Sequence, residues 1–202
     1  MKLYYTPGAC SMSPHIVLCE SGLPFELVPA DLKTHLLADG SDYYAISPKG
    51  YVPLLELDTG ERLSEGPAIV QYIADQVPAK QLAPANGTMA RYHLQEWLNF
   101  TTSELHKGFS PLFNPAMPVE AQALARTRLV QRFTWVNSQL EGKQYLTGDT
   151  FTVADAYLFT VGSWAAHVGV DIKALTVLGA YMARVAARPA VQAAMKAEGL
   201  IQ

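Results

Sequence analysis

Hydrophobic and polar positions change period several times in the first part of the chain. Leu3-Tyr4-Tyr5-Thr6 is a short apolar run of strand length, and Pro7-Gly8-Ala9 reads as a turn. Ser13-Pro14 supplies a helix N-cap with proline at the first helical position, followed by the mostly apolar His15-Ile16-Val17-Leu18-Cys19. Phe25-Glu26-Leu27-Val28 reads as a second strand, and an irregular helical stretch then runs to the turn cluster Ser47-Pro48-Lys49-Gly50. Pro53-Leu54-Leu55-Glu56-Leu57 and Glu61-Arg62-Leu63-Ser64 flank Asp58-Thr59-Gly60 as a hairpin. Pro67 opens a helix with Ala68, Ile69, Tyr72 and Ile73 at helical spacing. The order is β-α-β, a helical stretch, then β-β-α, which predicts a small α/β domain over residues 1–80.

From Val77-Pro78 to Pro84-Ala85-Asn86-Gly87 the chain is rich in proline and small residues, and no comparable strand pattern follows. Residues 87–202 read as an all-helical domain. Trp97, Leu98, Leu105 and Phe109 mark one long helix, and Pro118 starts another with an apolar stripe of Leu124, Leu129, Phe133, Val136 and Leu140. Thr152-Val153-Ala154-Asp155 is a capping box with Asp in place of Glu, with Phe151 placed to staple onto Ala156. Pro189 separates two last helical segments, near 175–188 and 191–200.

Composition narrows the function classes. Half of the residues are hydrophobic, enough for a substantial core, while a net charge of −3 gives no basic footprint for nucleic acid. No apolar run reaches membrane-spanning length, and Met1-Lys2-Leu3-Tyr4 enters a strand without a signal region. Two cysteines cannot build a disulfide framework, so a reducing cytoplasm is expected. The five histidines, His15, His35, His93, His106 and His167, show no metal-ligand spacing, and no glycine-rich phosphate loop opens a helix. Neither a metal nor a nucleotide cofactor is expected.

The chemistry points to Cys10, between the first strand and the first helix. Unpaired N–H groups and the positive end of the helix dipole favour an anion there, which predicts a thiol pulled below its usual pKa of about 8.5. Cys19 lies inside the helix and reads as a small core hydrophobe. Cys10-Ser11-Met12-Ser13 has the outline of a Cys-x-x-Cys motif, but Ser13 removes an internal disulfide cycle.

Six segments in order carry a family resemblance. They are Tyr5-x-Pro7-Gly8-Ala9-Cys10-Ser11, Pro48-Lys49-Gly50-x-Val52-Pro53, Ser64-Glu65-Gly66-x-Ala68-Ile69, Trp97-Leu98-Asn99, Ser103 to Gly108 and Phe151 to Asp155. Together the chain resembles a bacterial beta-class glutathione S-transferase. The resemblance implies an α/β thioredoxin-like N-terminal domain (βαβ-α-ββα), an all-α C-terminal domain forming the electrophile pocket, and a homodimer. It implies reduced glutathione as co-substrate and small hydrophobic electrophiles as partners, with thiol–disulfide exchange through Cys10 as a second activity.

Site residues follow from the same resemblance, and each also has a plainer reading. A cis Val52-Pro53 bond would let the Val52 backbone pair with the cysteinyl part of glutathione, as in strand addition, or the proline simply shapes a turn. Glu65 and Gly66 would hold the γ-glutamyl end, with the Glu65 carboxylate accepting from its ammonium; alone, Glu65 is a helix-start acid. Gly66 stands where many relatives carry serine, so a hydroxyl contact is absent. Asn99, Ser103 and His106 share one helical face by their i, i+4, i+7 spacing, an arrangement that in many proteins merely meets solvent. The resemblance assigns Asn99, Ser103, Glu104 and His106 to glutathione binding, partly across the dimer interface, while a His106 hydrogen bond and the Lys107 charge would favour a thiolate. His35 stands where the family often has a lysine on the glycyl carboxylate. Cys10 and His106 are the expected catalytic pair. A reductive dehalogenase, a glutathione-dependent isomerase and a non-catalytic ligand-binding module on the same fold are the alternatives.

Overall fold

The computed structural model describes residues 1–202, and the chain divides into two units: Met1–Ala83 with Arg188–Gln202, and Pro84–Ala187. The division after Ala83 falls inside the proline-rich stretch. The return of Arg188–Gln202 to the first unit departs from the single helical region 87–202 drawn from the sequence.

In the first unit, strands β1 (Lys2–Tyr5), β2 (Glu26–Pro29), β3 (Leu54–Glu56) and β4 (Arg62–Ser64) form one sheet in the order β2-β1-β3-β4. β1 runs parallel to β2 and antiparallel to β3, so Leu3 sits opposite both Leu27 and Leu55. Leu3, Tyr4 and Tyr5 are all buried, which explains why β1 reads as a continuous apolar run and not as an alternation. Helix α1 (Met12–Ser21) connects β1 to β2, and α2 (Gly66–Gln76) follows β4. A single 3-10 turn, Tyr43–Ala45, occupies the stretch before β3, and buried Tyr43 donates its hydroxyl to the Tyr51 carbonyl at 2.9 Å. The arrangement is the expected βαβ-α-ββα.

Helix α1 starts earlier than its sequence signals indicate. Ser11, not Ser13, precedes it, and Pro14 lies within the first turn, where its missing N–H removes no helical bond. The Ser11 hydroxyl is occupied elsewhere, bridging the Thr6 amide at 3.1 Å and the Thr6 carbonyl at 3.2 Å, which folds the turn back on β1.

The second unit holds α3 (Met89–Phe100), α4 (Lys107–Phe113), α5 (Val119–Gln139), α6 (Val153–Ser163) and α7 (Thr176–Ala186). Between α3 and α4 the chain widens into a π-helical turn, Thr101–His106, where the sequence reads as one continuous helix. The capping box is present: Thr152 N–H donates to Asp155 Oδ2 at 2.8 Å, and the same carboxylate accepts from the Leu146 amide at 2.9 Å and the Tyr181 hydroxyl at 3.0 Å. Burial pushes this Asp155 carboxyl up to about 6 despite those four donors, the Thr152 hydroxyl being the last. In α5, Leu129, Phe133 and Val136 are buried as the stripe predicts, but Leu124 is 68% exposed. Helix α8 (Pro189–Ala197) packs on α1 within the first unit. No helix is long and apolar enough to cross a membrane.

Candidate functional site

Cys10 closes the β1–α1 turn, and its Sγ donates to the Val52 carbonyl at 3.2 Å. That carbonyl belongs to the Val52-Pro53 peptide, which is cis. Val52 packs with Tyr4, Ala30, Tyr43 and Leu54 in one buried cluster, so the carbonyl is held by the core of the sheet. The turn is anchored from the other side by the C-terminal segment. Gly8, at φ 72°, donates its amide to Glu198 Oε2 at 2.8 Å, while Glu198 Oε1 meets His15 Nδ1 at 2.8 Å. Both side chains of that pair are buried.

The Cys10 thiol is not lowered. Burial pushes it up to about 11, with the Glu65 carboxylate adding a little, and the Cys10 and Ser11 amides do not offset this. The expected acidic cysteine is therefore corrected, and the reason is burial of the thiol, to which the first helical turn opposes no further donor. The Met12 and Ser13 amides already donate to the Ala9 and Cys10 carbonyls at 3.0 and 3.2 Å, and Pro14 has no N–H. The donors that a thiolate needs are taken by backbone. The residue as a whole is half-buried, so solvent reaches part of it while the sulfur's surroundings keep it neutral.

Glu65 caps α2 at φ 70°, ψ 111°, a backbone region that a non-glycine residue enters only under strain. Its carbonyl accepts from the Ala68 and Ile69 amides, both at 3.0 Å. Its exposed carboxylate takes Lys49 Nζ at 2.8 Å. Lys49 stands in the Pro48-Lys49-Gly50 turn and was not among the expected site residues, although it lies within one of the six motifs. A Cβ built at Gly66 would touch only Pro53 Cγ at 3.9 Å, so a serine would fit there.

His35 also has positive φ, 56°, and its ring stacks on Tyr44 with centroids 4.4 Å apart. Gly50 packs so tightly on this pair that a Cβ there would stand 2.6 Å from Tyr44 and 2.9 Å from His35 Nδ1, and its own φ is 65°. Glycine is required on both counts. His35 Nδ1 is buried without a hydrogen-bond partner.

In the second unit the π-helical turn redistributes the expected face. A π turn holds more residues than an α turn, so positions seven apart no longer align. Asn99 and Ser103 are exposed, with Ser103 donating to the Asn99 carbonyl at 3.1 Å. Glu104 pairs with Arg132 at 2.6 Å, and Ser103, Glu104, Lys107, Arg128 and Arg132 border a cleft of about 340 Å³. His106 instead turns toward α6. Its Nδ1 lies 2.7 Å from the Tyr157 hydroxyl, and its ring meets Trp164 edge-on at 5.0 Å. Tyr157, Trp164 and the His15–Glu198 pair are site elements that sequence reasoning missed. For Tyr157 a signal existed, since it falls two residues after the capping-box Asp155 and is the one tyrosine of a mostly apolar helix.

The N-terminal domain model of the glutathione S-transferases matches residues 8–76, and the C-terminal domain model of the same family matches residues 100–189. The chain is 49% identical over 200 residues to the glutathione S-transferase GstA of Escherichia coli O157:H7, covering 99% of this chain and 100% of the relative. Among solved structures it resembles the ternary complex of BphK, a bacterial glutathione S-transferase, with TM-score 0.97 and 58% identity over 98% of this chain and 100% of the other. A sphingomonad glutathione S-transferase complexed with glutathione superposes at TM-score 0.96 with 48% identity, both chains being covered in full. The bacterial beta-class enzyme of Sphingomonas chungbukensis gives the same TM-score and identity, again over the full length of both chains. By family model, by sequence and by fold, this chain belongs to the glutathione S-transferase family and is similar to its bacterial beta class.

Proposed function

We propose that this protein conjugates reduced glutathione to small hydrophobic electrophiles, with glutathione-dependent thiol–disulfide exchange through Cys10 as a secondary activity. The observation that carries the reading is the joining of Cys10, the cis Val52-Pro53 peptide and the strained Glu65 turn in one unit. Residues 1–80 bind the tripeptide and residues 87–202 form the electrophile pocket. Val52 and Pro53 pair with the cysteinyl backbone, and Glu65 with the Gly66 amide holds the γ-glutamyl end. Glu65 exchanges its Lys49 contact for the ligand's ammonium. His35 donates to the glycyl carboxylate, and Asn99, Ser103, Glu104, His106 and Lys107 contribute from the helical domain, within a homodimer.

The reaction follows from this arrangement. The S–H bond of glutathione breaks with its proton released to solvent, a carbon–sulfur bond forms at the electrophile, and the leaving group departs with the bonding pair. Cys10, kept neutral by burial, acts as a hydrogen-bond donor to the ionised sulfur, joined by His106 and the Lys107 charge. Holding the two reactants together supplies much of the rate.

Steady-state assays with glutathione and chlorodinitrobenzene, and with a glutathione mixed disulfide, test the proposal. Saturable turnover of the first is expected, with Cys10→Ala abolishing exchange on the second. Purified protein that turns over neither substrate overturns it.

A further inference from the structure

Lys49 stands where it can serve a charged ligand as well as its neighbour Glu65. The turn that carries it is firmly built. The Gly50 amide donates to the Ser47 carbonyl at 2.7 Å, and the Ser47 and Tyr43 hydroxyls both reach the Tyr51 carbonyl, at 3.2 and 2.9 Å. From that base the flexible four-carbon stem brings Nζ to Glu65 Oε1 at 2.8 Å, with Ser64 Oγ 3.4 Å away. The two side chains are 55% and 68% exposed, so water screens their attraction and the pair is weak. A ligand that brings its own charges displaces such a pair at little cost.

The start of α2 is short of donors. Pro67 has no N–H, and the Ala68 and Ile69 amides are both spent on the Glu65 carbonyl at 3.0 Å. The Gly66 amide remains, and glycine adds no hydroxyl. A γ-glutamyl end carries its ammonium and its carboxylate on the same carbon. With the ammonium on Glu65, the ligand's carboxylate lies beside a like charge and has one amide to hold it, although a carboxylate accepts up to about four hydrogen bonds. The Lys49 ammonium is the cation within reach, because it already touches the carboxylate that the ligand's ammonium engages. With Lys49 the charges of site and ligand alternate and cancel; without it, a negative charge is left uncompensated.

We infer that Lys49 is a glutathione-binding residue, which hands Glu65 over to the ligand's ammonium and takes the α-carboxylate of the γ-glutamyl group. The inference rests on the function proposed above and supplies the donor that the Gly66 turn lacks. Lys49 thereby selects thiols that carry an α-amino acid at this end over those that carry an amine alone.

Isothermal titration of the full-length protein with two ligands tests this. One is glutathione, and the other is γ-aminobutyryl-cysteinyl-glycine, which keeps the ammonium and lacks the α-carboxylate. Lys49→Met should weaken glutathione about tenfold, the size of one charge-assisted hydrogen bond, and the analogue by less than about twofold. Lys49→Arg keeps the charge and should stay within about threefold of the wild type for glutathione. In steady-state assays Lys49→Met should raise the KM for glutathione about tenfold with kcat within about twofold, as loss of uniform binding requires. Equal weakening of both ligands overturns the inference, since Lys49 would then act only through Glu65. Tighter binding of glutathione by Lys49→Met overturns it too, because the lysine would be a mere competitor for Glu65. Either result leaves glutathione binding by the wild type intact, whereas a wild type that binds neither ligand sinks the proposed function and the inference together.

Discussion

Cys10 is a donor in this protein before it is a nucleophile. Its thiol, pushed up to about 11, stays protonated through neutral pH, because burial outweighs the two amides that face it. In a Cys19→Ser background, which removes the other raised thiol, iodoacetamide should react at pH 7 roughly a hundredfold more slowly than with a free cysteine. The rate should climb continuously toward pH 11, and a plateau near pH 7 would contradict the assignment. Stability carries the same sign. The folded state retains a proton that the unfolded chain loses, so the contribution is complete below pH 9 and declines as pH rises toward 11. At Gly66 the space beside Pro53 admits a side chain, and no positive φ forbids one. Gly66→Ser should lower the KM for glutathione about threefold, as one added neutral hydrogen bond would, measured by initial rates. The position of Cys10 was legible in the sequence because a strand, a turn and a helix start are local patterns. Its ionisation was not, since that depends on which carbonyls claim the first-turn amides and on a Val52 carbonyl delivered from a distant segment.

Elements meet at this site through contacts that periodicity does not encode. The strands β1, β3 and β4 were legible as short apolar runs and a hairpin turn, and α6 as its capping box, whereas the pairing of β1 with β3 was not. The π-helical turn at Thr101–His106 left no mark, because one wide turn inside a continuous helical pattern changes no residue type. It is what separates His106 from Ser103 and sends the imidazole to Tyr157. A second unpredicted link is Glu198, just past α8, whose two oxygens serve Gly8 and His15. Glu198→Ala would remove the carboxylate that the Gly8 amide donates to and leave the buried His15 ring without its carboxylate partner, a loss of about 3 kcal/mol. Urea denaturation should register that loss as a shifted midpoint with an unchanged slope. Glutathione binding should weaken as well, because Gly8 lies two residues from Cys10. A variant as stable as the wild type would show that the turn stands without this anchor.

At the scale of the whole molecule, the first unit is completed by the last residues of the chain. The sequence marks a helical segment after Pro189, and the structure buries its Val191 and Ala194 fully, but a helical pattern cannot say which partner covers that face. The sequence therefore grouped the segment with the helices beside it, while the structure packs it on α1. Arg188 fastens the near end by two bonds to Glu20, at 2.6 and 3.1 Å, and Glu198 fastens the far end. Between them lies α1, whose residues from Met12 to Leu18 are buried, with α2 and α8 both packed against it. A chain ending at Ala187 exposes that side of α1 and leaves Gly8, His15 and Glu20 without these partners. Such a chain should retain the helical circular dichroism of Pro84–Ala187 while the first unit becomes protease-sensitive and loses retention on immobilised glutathione. A synthetic peptide of residues 188–202 added in trans should restore both, since it returns the two anchors and the apolar face together. If the truncated chain binds glutathione as tightly as the full one, the C-terminal segment is a passive covering, and the turn carrying Cys10 is set by the sheet alone.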